Sequence, residues 1–114
     1  MNIREENGVT IVTMVPKFDA FAPRRDEPQL IQLVKDGVRA LVCDFSGTTF
    51  ISSSGLRVVH ALAQSLNSVK GKFAVCGLSE PVAKVFSMAG FDKIIAIHPD
   101  AASAVAALSG GTSA

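Results

Sequence analysis

The chain has 114 residues, of which 48% are hydrophobic and 18% are charged, and its formal net charge is +1. This length and composition predict one folded domain with a substantial core and disfavour a disordered chain. The sequence contains no basic block, no Trp and no Tyr, which disfavours a nucleic-acid partner and a surface that stacks bases.

The start of the chain and its two cysteines bear on location. Met1 to Glu6 is charged and not apolar, and no apolar run approaches the ~20 residues that span a bilayer. We therefore expect no signal peptide, no direct membrane insertion and a cytoplasmic protein. Cys43 and Cys76 each lie in an apolar run. They predict two buried, reduced thiols, because a disulfide or metal site would need closer spacing or further ligands.

The first third of the chain predicts two strands and a helix. Val9 to Val15 is rich in β-branched residues and predicts a strand, with Ile3 to Glu6 as a short edge strand before the Asn7-Gly8 turn. Glu27 to Asp36 carries apolar residues at helical spacing. We expect this helix to begin near Glu27, because Pro28 is tolerated only in a first turn.

The rest of the chain continues the alternation of strands and helices. Arg39 to Phe45 is a continuous apolar run that predicts a strand buried on both faces. Phe50-Ile51 then leads into a second helix from about Ser53 to Val69, whose apolar residues share one arc. The remaining predicted elements are a strand over Lys72 to Leu78, a helix from a Ser79 cap to Gly90, a strand over Ile94 to Ile97, and a helix capped by Asp100.

This order of elements predicts an α/β domain. The sheet is expected to be mixed but mostly parallel, with four to five strands and about four helices. We expect the domain to cover residues 1–109 and a flexible tail to cover residues 110–114.

Three consecutive serines, Ser52, Ser53 and Ser54, stand at the mouth of the second helix. Hydroxyls there cap backbone N–H groups, and the helix dipole favours negative charge at the same place. Serine catalysis would need a nearby base, but His60 lies further along the same helix, and no Gly-x-Ser-x-Gly elbow surrounds the serines. The residues therefore favour a helix cap or a modification site over an active site.

Cofactor and metal sites are equally unsupported by the sequence. No glycine-rich loop carries the Gly-Lys-Ser/Thr ending that cradles phosphates, and no cluster of metal ligands is apparent. Asp44 lies at the end of a predicted strand, where its carboxylate could bind Mg²⁺, but we expect it to cap or hydrogen-bond the adjoining loop. We predict a protein that is not an enzyme and that holds no cofactor or metal.

A long segment of the chain resembles a known family. Leu41 to Leu56, which reads Leu-Val-Cys-Asp-Phe-Ser-Gly-Thr-Thr-Phe-Ile-Ser-Ser-Ser-Gly-Leu, resembles the core signature of STAS domains of bacterial anti-sigma factor antagonists. Phe18-Asp19, Lys72 to Val82 and Phe86 to Phe91 resemble further segments of that family in the same order. The resemblance covers nearly the whole chain.

The resemblance implies a function and a phosphorylation site. In that family the unphosphorylated protein binds an anti-sigma factor that is a serine kinase, releases the sigma factor, and is reset by a serine phosphatase. The family's phosphoserine falls on Ser53, whose position at the cap supports the assignment. The family's preceding Asp is replaced by Ser52. The expected partner interface comprises Ser52, Ser54, Gly55, Arg57, Lys84 and Met88, with Arg57 four residues after Ser53 and able to pair with its phosphate.

Two alternatives remain open from the sequence. The chain could be a STAS subunit of a lipid or anion transporter, a non-catalytic docking module in which Ser53 is an interface residue. It could also be an enzyme or a module that binds ATP or GTP, although no phosphate-binding loop supports this.

Overall fold

A computed structural model describes residues 1–19 and 21–110. Within these residues, strands and helices alternate as the sequence predicts. The strands are β1 Asn2–Glu6, β2 Val9–Thr13, β3 Lys17–Phe18, β4 Ala40–Asp44, β5 Phe50–Ile51, β6 Lys72–Cys76 and β7 Ala96–His98. The helices are α1 Ala22–Lys35, α2 Ser53–Ser68, α3 Glu80–Met88 and α4 Ala101–Gly110, with a short 3₁₀ turn at Phe91–Lys93.

Five strands form one sheet in the order β1-β2-β4-β6-β7. β1 pairs with β2 in antiparallel fashion, and every other pair in this sheet is parallel. The short strands β3 and β5 form a separate parallel pair, in which Phe18 lies opposite Ile51. The predicted α/β fold with a mixed, mostly parallel sheet is confirmed. Residues 111–114 of the predicted tail lie outside the described residues.

Side chains alternate between the two faces of the sheet along each strand, and both faces carry apolar residues. Helices therefore cover both faces. On one face, the strand residues Val12, Leu41 and Cys43 pack in a core with α1, α2 and α3. On the other face, Ile11 and Val42 pack against α4. The helix residues of the first core are Leu30, Val34, Val58, Val59, Leu62, Leu66, Val82 and Phe86, and those of the second are Ala104, Val105 and Leu108.

The two cysteines are free and buried, as predicted. Cys43 belongs to the core under α1, α2 and α3, whereas Cys76 belongs to the core under α4. The sheet therefore separates the two thiols. Burial is the main cause that raises the pKa of Cys43, and burial together with the nearby Asp44 carboxylate raises the pKa of Cys76 to about 12. Both thiols are protonated at neutral pH and behave as small apolar side chains.

The first helix begins earlier than predicted. α1 starts at Ala22 and contains Pro28 in its interior, so the expected start near Glu27 is wrong. Pro23 occupies the first turn, where its missing N–H costs nothing. Pro28 is exposed, on a side of the helix that water reaches, while Ala22, Pro23 and Leu30 are buried. Burial of the apolar face therefore outweighs the one hydrogen bond that Pro28 cannot donate.

Several other boundaries differ from the predictions. The predicted strand over Val9 to Val15 ends at Thr13, and no local pattern in the sequence predicts β3. The last strand begins at Ala96 and not at Ile94, because the backbone N–H groups of Ile94 and Ile95 donate to the Phe91 carbonyl and so belong to the 3₁₀ turn. Ser79 precedes α3 as predicted, but its hydroxyl does not cap the helix. Asp100 does cap α4: its Oδ1 accepts a hydrogen bond from the backbone N–H of Ser103 at 2.8 Å.

The parallel strands bring the starts of the helices to one edge of the sheet. β2, β4, β6 and β7 run in the same direction, so the segments that follow them all leave from their carboxyl edge. The segments at this edge include the starts of α1 and α2. The three serines at the start of α2 therefore lie at the carboxyl edge, which is where α/β sheets commonly bind their ligands.

Gly55 allows α2 to approach β3 closely. A β-carbon at Gly55 would lie 2.6 Å from the Phe18 carbonyl oxygen and 2.8 Å from Phe18 Cδ2. Because the nearest of these atoms belongs to the backbone, the contact cannot relax by a change of side-chain rotamer. The start of α2 is thus positioned by a residue without a side chain.

We expect Gly55→Ala to lower the free energy of unfolding by about 1–3 kcal/mol, the usual cost of overpacking. Helix propensity alone predicts the opposite sign, since Ala stabilises a helix interior by roughly 1 kcal/mol over Gly. Gly47→Ala is the control, because nothing lies within 4 Å of its β-carbon position. Urea denaturation measures both, and a Gly55→Ala variant as stable as the native protein would contradict the close approach.

Candidate functional site

A hydrogen-bonded loop leads from β4 to the serines. Asp44 Oδ1 accepts a hydrogen bond from the Ser46 backbone N–H at 2.9 Å, which is the loop-bonding role expected for this carboxylate. The buried Thr48 donates its hydroxyl to the Val15 carbonyl at 2.7 Å and accepts a bond from Ser79 Oγ at 3.2 Å through its own carbonyl. These bonds join the loop to two neighbouring segments, so the approach to α2 is held in one conformation.

Ser52 is the residue that caps α2. Its backbone is extended, at φ −98° and ψ 175°, and its Oγ accepts a hydrogen bond from the Gly55 backbone N–H at 3.3 Å. Its own N–H donates to the Phe18 carbonyl at 3.2 Å. Ser53 is the first helical residue. The hypothesis that Ser53 occupies the cap is therefore wrong, because the chain becomes helical one residue earlier than that hypothesis requires.

Ser53 and Ser54 are exposed on the first turn of α2. Within the described part of the chain, neither hydroxyl takes part in a hydrogen bond. Both therefore differ from Ser52, which is partly buried and already holds a backbone N–H. The N-terminal end of a helix carries a partial positive charge, so a negatively charged group on this turn is favoured.

Arg57 lies one turn further along α2 and is exposed. Its Nη2 is 3.5 Å from Glu27 Oε1 on α1, with 63% of the Arg57 side chain and 28% of the Glu27 side chain accessible to solvent. The pair joins the outer surfaces of two neighbouring helices. An exposed pair at this distance stabilises the fold little, on the order of 0–1 kcal/mol.

The other predicted interface residues do not all gather at the serines. Gly55 is buried on the side of the first turn of α2 that faces Phe18. Lys84 and Met88 lie on α3, where both are exposed and Met88 is 79% accessible. Met88 is the last residue of α3 and lies about 12 Å along the helix axis from its start. The structure therefore places Ser52, Ser53, Ser54 and Arg57 together at the start of α2, whereas Lys84 and Met88 lie on another helix.

Sequence reasoning missed two exposed phenylalanines. Phe21 is 85% accessible and precedes α1, and Phe50 is 52% accessible and lies in β5. Both lie at the carboxyl edge, near the starts of α1 and α2. We call this pair the apolar rim. The only signal in the sequence was that each phenylalanine stands outside the helical and strand patterns that predicted the core, beside turn-forming or polar residues.

His60 follows Ser53 by two turns of α2, which places it about 10 Å further along the helix axis. It is partly buried, and its ring centroid lies 5.7 Å from that of Phe91. Across residues 1–19 and 21–110, no three His, Cys, Asp or Glu side chains are grouped to hold a metal ion. In the same residues, none of the helices has the length and hydrophobicity needed to cross a bilayer.

Comparisons with known proteins agree with this architecture. The STAS domain model matches residues 1–104. BtrV of Bordetella bronchiseptica, a protein assigned as an anti-sigma factor antagonist, is 37% identical over 101 residues, which cover 89% of this chain and 87% of BtrV. The chain belongs to the STAS domain family of anti-sigma factor antagonists.

Two solved structures share the fold. The structure of a protein from Thermotoga maritima, also assigned as an anti-sigma factor antagonist, aligns with a TM-score of 0.88 and 21% identity over 94% of this chain and 92% of that one. The Bacillus cell fate determinant SpoIIAA in its phosphorylated form aligns with a TM-score of 0.68 and 17% identity, over 84% of this chain and 88% of SpoIIAA. At these identities the two likenesses establish the fold alone.

We expect Ser52→Ala to lower the free energy of unfolding by about 0.5–2 kcal/mol, because the Gly55 N–H loses its acceptor. Ser52→Asp should be as stable as the native protein or more so, since Asp caps equally well and its charge suits the helix dipole. Ser53→Ala is the matched control and should change stability by less than about 0.5 kcal/mol. Urea denaturation distinguishes them, and equal losses for Ser52→Ala and Ser53→Ala would refute the assignment of the cap.

Proposed function

We propose that the protein is an anti-sigma factor antagonist controlled by phosphorylation of Ser53. Its unphosphorylated form binds a cognate anti-sigma factor, which is a serine kinase, and thereby frees the sigma factor. Phosphorylation of Ser53 by that kinase ends the complex, and a serine phosphatase restores the binding form. The protein itself acts by binding and not by catalysis. The observation that carries the proposal is the hydroxyl of Ser53 on the first turn of α2, which is exposed and has no hydrogen-bond partner among the described residues.

The choice of Ser53 combines structure and sequence resemblance. Ser52 is the weakest candidate, because its hydroxyl oxygen accepts the bond from Gly55 and the residue is partly buried. Ser53 and Ser54 are both exposed. Between these two, the register of the family signature favours Ser53. A kinase that approaches the carboxyl edge would reach this hydroxyl without opening the core.

The replacement of the family's Asp by Ser52 is compatible with this role. Asp and Ser are both strong N-cap residues, so the substitution preserves the start of the helix. It removes one negative charge beside the proposed phosphate. A phosphoserine carries a charge of about −1.5 to −2 at neutral pH, and a neighbouring carboxylate would repel it. Ser52 therefore caps the helix as the family's Asp would, without adding a negative charge next to the proposed phosphate.

The energetics favour a switch that acts at the interface and not on the fold. A phosphate on the first turn of α2 interacts favourably with the helix dipole, by about 0.3–2 kcal/mol, and so does not unfold the domain. Changing a complex from almost fully bound to almost fully free requires about 5.5 kcal/mol of differential affinity. Most of this must come from placing a dianion against the partner, where desolvation and charge repulsion oppose binding.

The apolar rim supplies a reason for the partner to bind next to Ser53. Burial of a phenylalanine side chain contributes roughly 1.5–3 kcal/mol, and aromatic residues are frequent anchors of protein interfaces. Phe50 precedes Ser53 by three residues, so a partner that covers Phe50 also covers the first turn of α2. The phosphate would then fall inside the contact and not at its margin. We propose that the anti-sigma factor is the protein that occupies this rim.

We expect the cognate kinase and ATP to label Ser53, as mapped by mass spectrometry. Ser53→Asp should weaken binding of the anti-sigma factor at least about tenfold, which corresponds to about 1.4 kcal/mol, with an unchanged melting temperature. Gln64→Glu is the control, because it adds one negative charge to an exposed position later on α2. Label confined to Ser52 or Ser54, no label at all, or equal weakening by Gln64→Glu would contradict the assignment.

Phe50→Ala should weaken binding of the anti-sigma factor by about 1–3 kcal/mol if the rim is an anchor. Ile94→Ala is the matched control, since Ile94 is 64% accessible but lines a cavity with Gly71, which precedes β6 at the opposite edge of the sheet. Calorimetric titration of both variants gives the comparison. Equal affinities for the two variants would exclude the apolar rim as the docking surface.

A further inference from the structure

Arg57 has two neighbours, Glu27 on α1 and Ser53 on its own helix, and only Glu27 is charged in the unmodified protein. On α1 it faces Glu27, with Nη2 and Oε1 3.5 Å apart. On its own helix it follows Ser53 by four residues. Among residues 1–19 and 21–110, the pair with Glu27 is the one ion pair that joins two helices. A charge placed on Ser53 would therefore compete with Glu27 for the same guanidinium.

The geometry of α2 brings Arg57 within reach of Ser53. Residues four apart on a helix lie on one face, about 5–6 Å apart between β-carbons. Helical side chains also lean towards the N-terminus, so the Arg57 side chain extends over the turn that holds Ser53. Both residues are exposed, and no residue of the core has to move for them to meet. Glu27, in contrast, is reached only across the gap between two helices.

The chemistry favours the phosphate over Glu27. A phosphoserine presents three acceptor oxygens and nearly twice the charge of a carboxylate. Guanidinium binds phosphate through two parallel hydrogen bonds, whereas a single long contact joins Arg57 to Glu27. The existing pair is exposed and is therefore weak.

We propose that phosphorylation of Ser53 transfers the Arg57 guanidinium from Glu27 to the phosphate and leaves Glu27 without its partner. This inference rests on the proposed function, because it requires a phosphate on Ser53. The change would extend beyond α2: the surface of α1 next to the apolar rim would gain an uncompensated carboxylate. A partner that docks across both helices would thus meet altered charge on each of them.

The test uses protein in which phosphoserine is incorporated at position 53 during translation, so that it does not depend on a kinase. ³¹P NMR titration gives the second pKa of the phosphate. Arg57→Gln should raise this pKa by about 0.5 unit or more, because the paired cation that favours the dianion is lost. Arg57→Lys, which keeps the charge but not the two-pronged geometry, should give a smaller rise. Glu27→Gln should leave the pKa unchanged or lower it, since Arg57 no longer has a competing carboxylate.

Lys35→Gln is the control for a general loss of positive charge, because Lys35 lies in the last turn of α1, far from Ser53. Equal shifts for Arg57→Gln and Lys35→Gln, or no shift for Arg57→Gln, would overturn the transfer. The result is separable from the proposed function. A kinase that ignores Ser53 refutes the function while the incorporated phosphate still tests Arg57, and a labelled Ser53 with no response to Arg57→Gln refutes the transfer alone.

Discussion

The candidate site depends on the close packing of the start of α2 against β3. Because Gly55 has no β-carbon, the first turn of α2 lies directly against the backbone of Phe18. The N–H of Ser52 bonds to the Phe18 carbonyl at the same place. The Phe18 ring packs edge-on against Phe45, which in turn packs against Phe86, with centroids 6.2 and 5.9 Å apart. The start of α2 is thereby joined to the core, and these contacts set the position of the three serines.

Three chemically identical residues have different roles because the helix begins between them. Ser52 is extended and directs its oxygen at a backbone N–H, whereas Ser53 and Ser54 are helical and direct their hydroxyls to solvent. The cap is a structural role that an Asp fills equally well. The exposed hydroxyls have no structural role within the described residues, which leaves them available for modification.

The amphipathic character of α2 separates the candidate switch from the core. Val58, Val59 and Leu62 pack against the sheet, while Ser53 and Arg57 lie on the exposed face of the same helix. A charge added to the exposed face leaves the buried apolar contacts intact, and these contacts supply most of the stability of the helix. Changes at the surface can therefore alter what binds the protein without altering its fold.

The sequence by itself determined the α/β class, the family, and the order of the helices and of the five strands of the main sheet, because hydrophobic periodicity and a long contiguous signature are local properties of the chain. It also determined the burial of the thiols and the cap at Asp100. The tertiary structure decided the features that depend on contacts between residues far apart in the sequence. The burial of one face of α1 extends that helix past Pro28, and the Phe18 backbone places the cap on Ser52. The pairing of Arg57 with Glu27 likewise arises only when separate segments meet, and the exposure of Phe21 and Phe50 is set by how the surrounding segments pack, of which the sequence carries only a weak local sign.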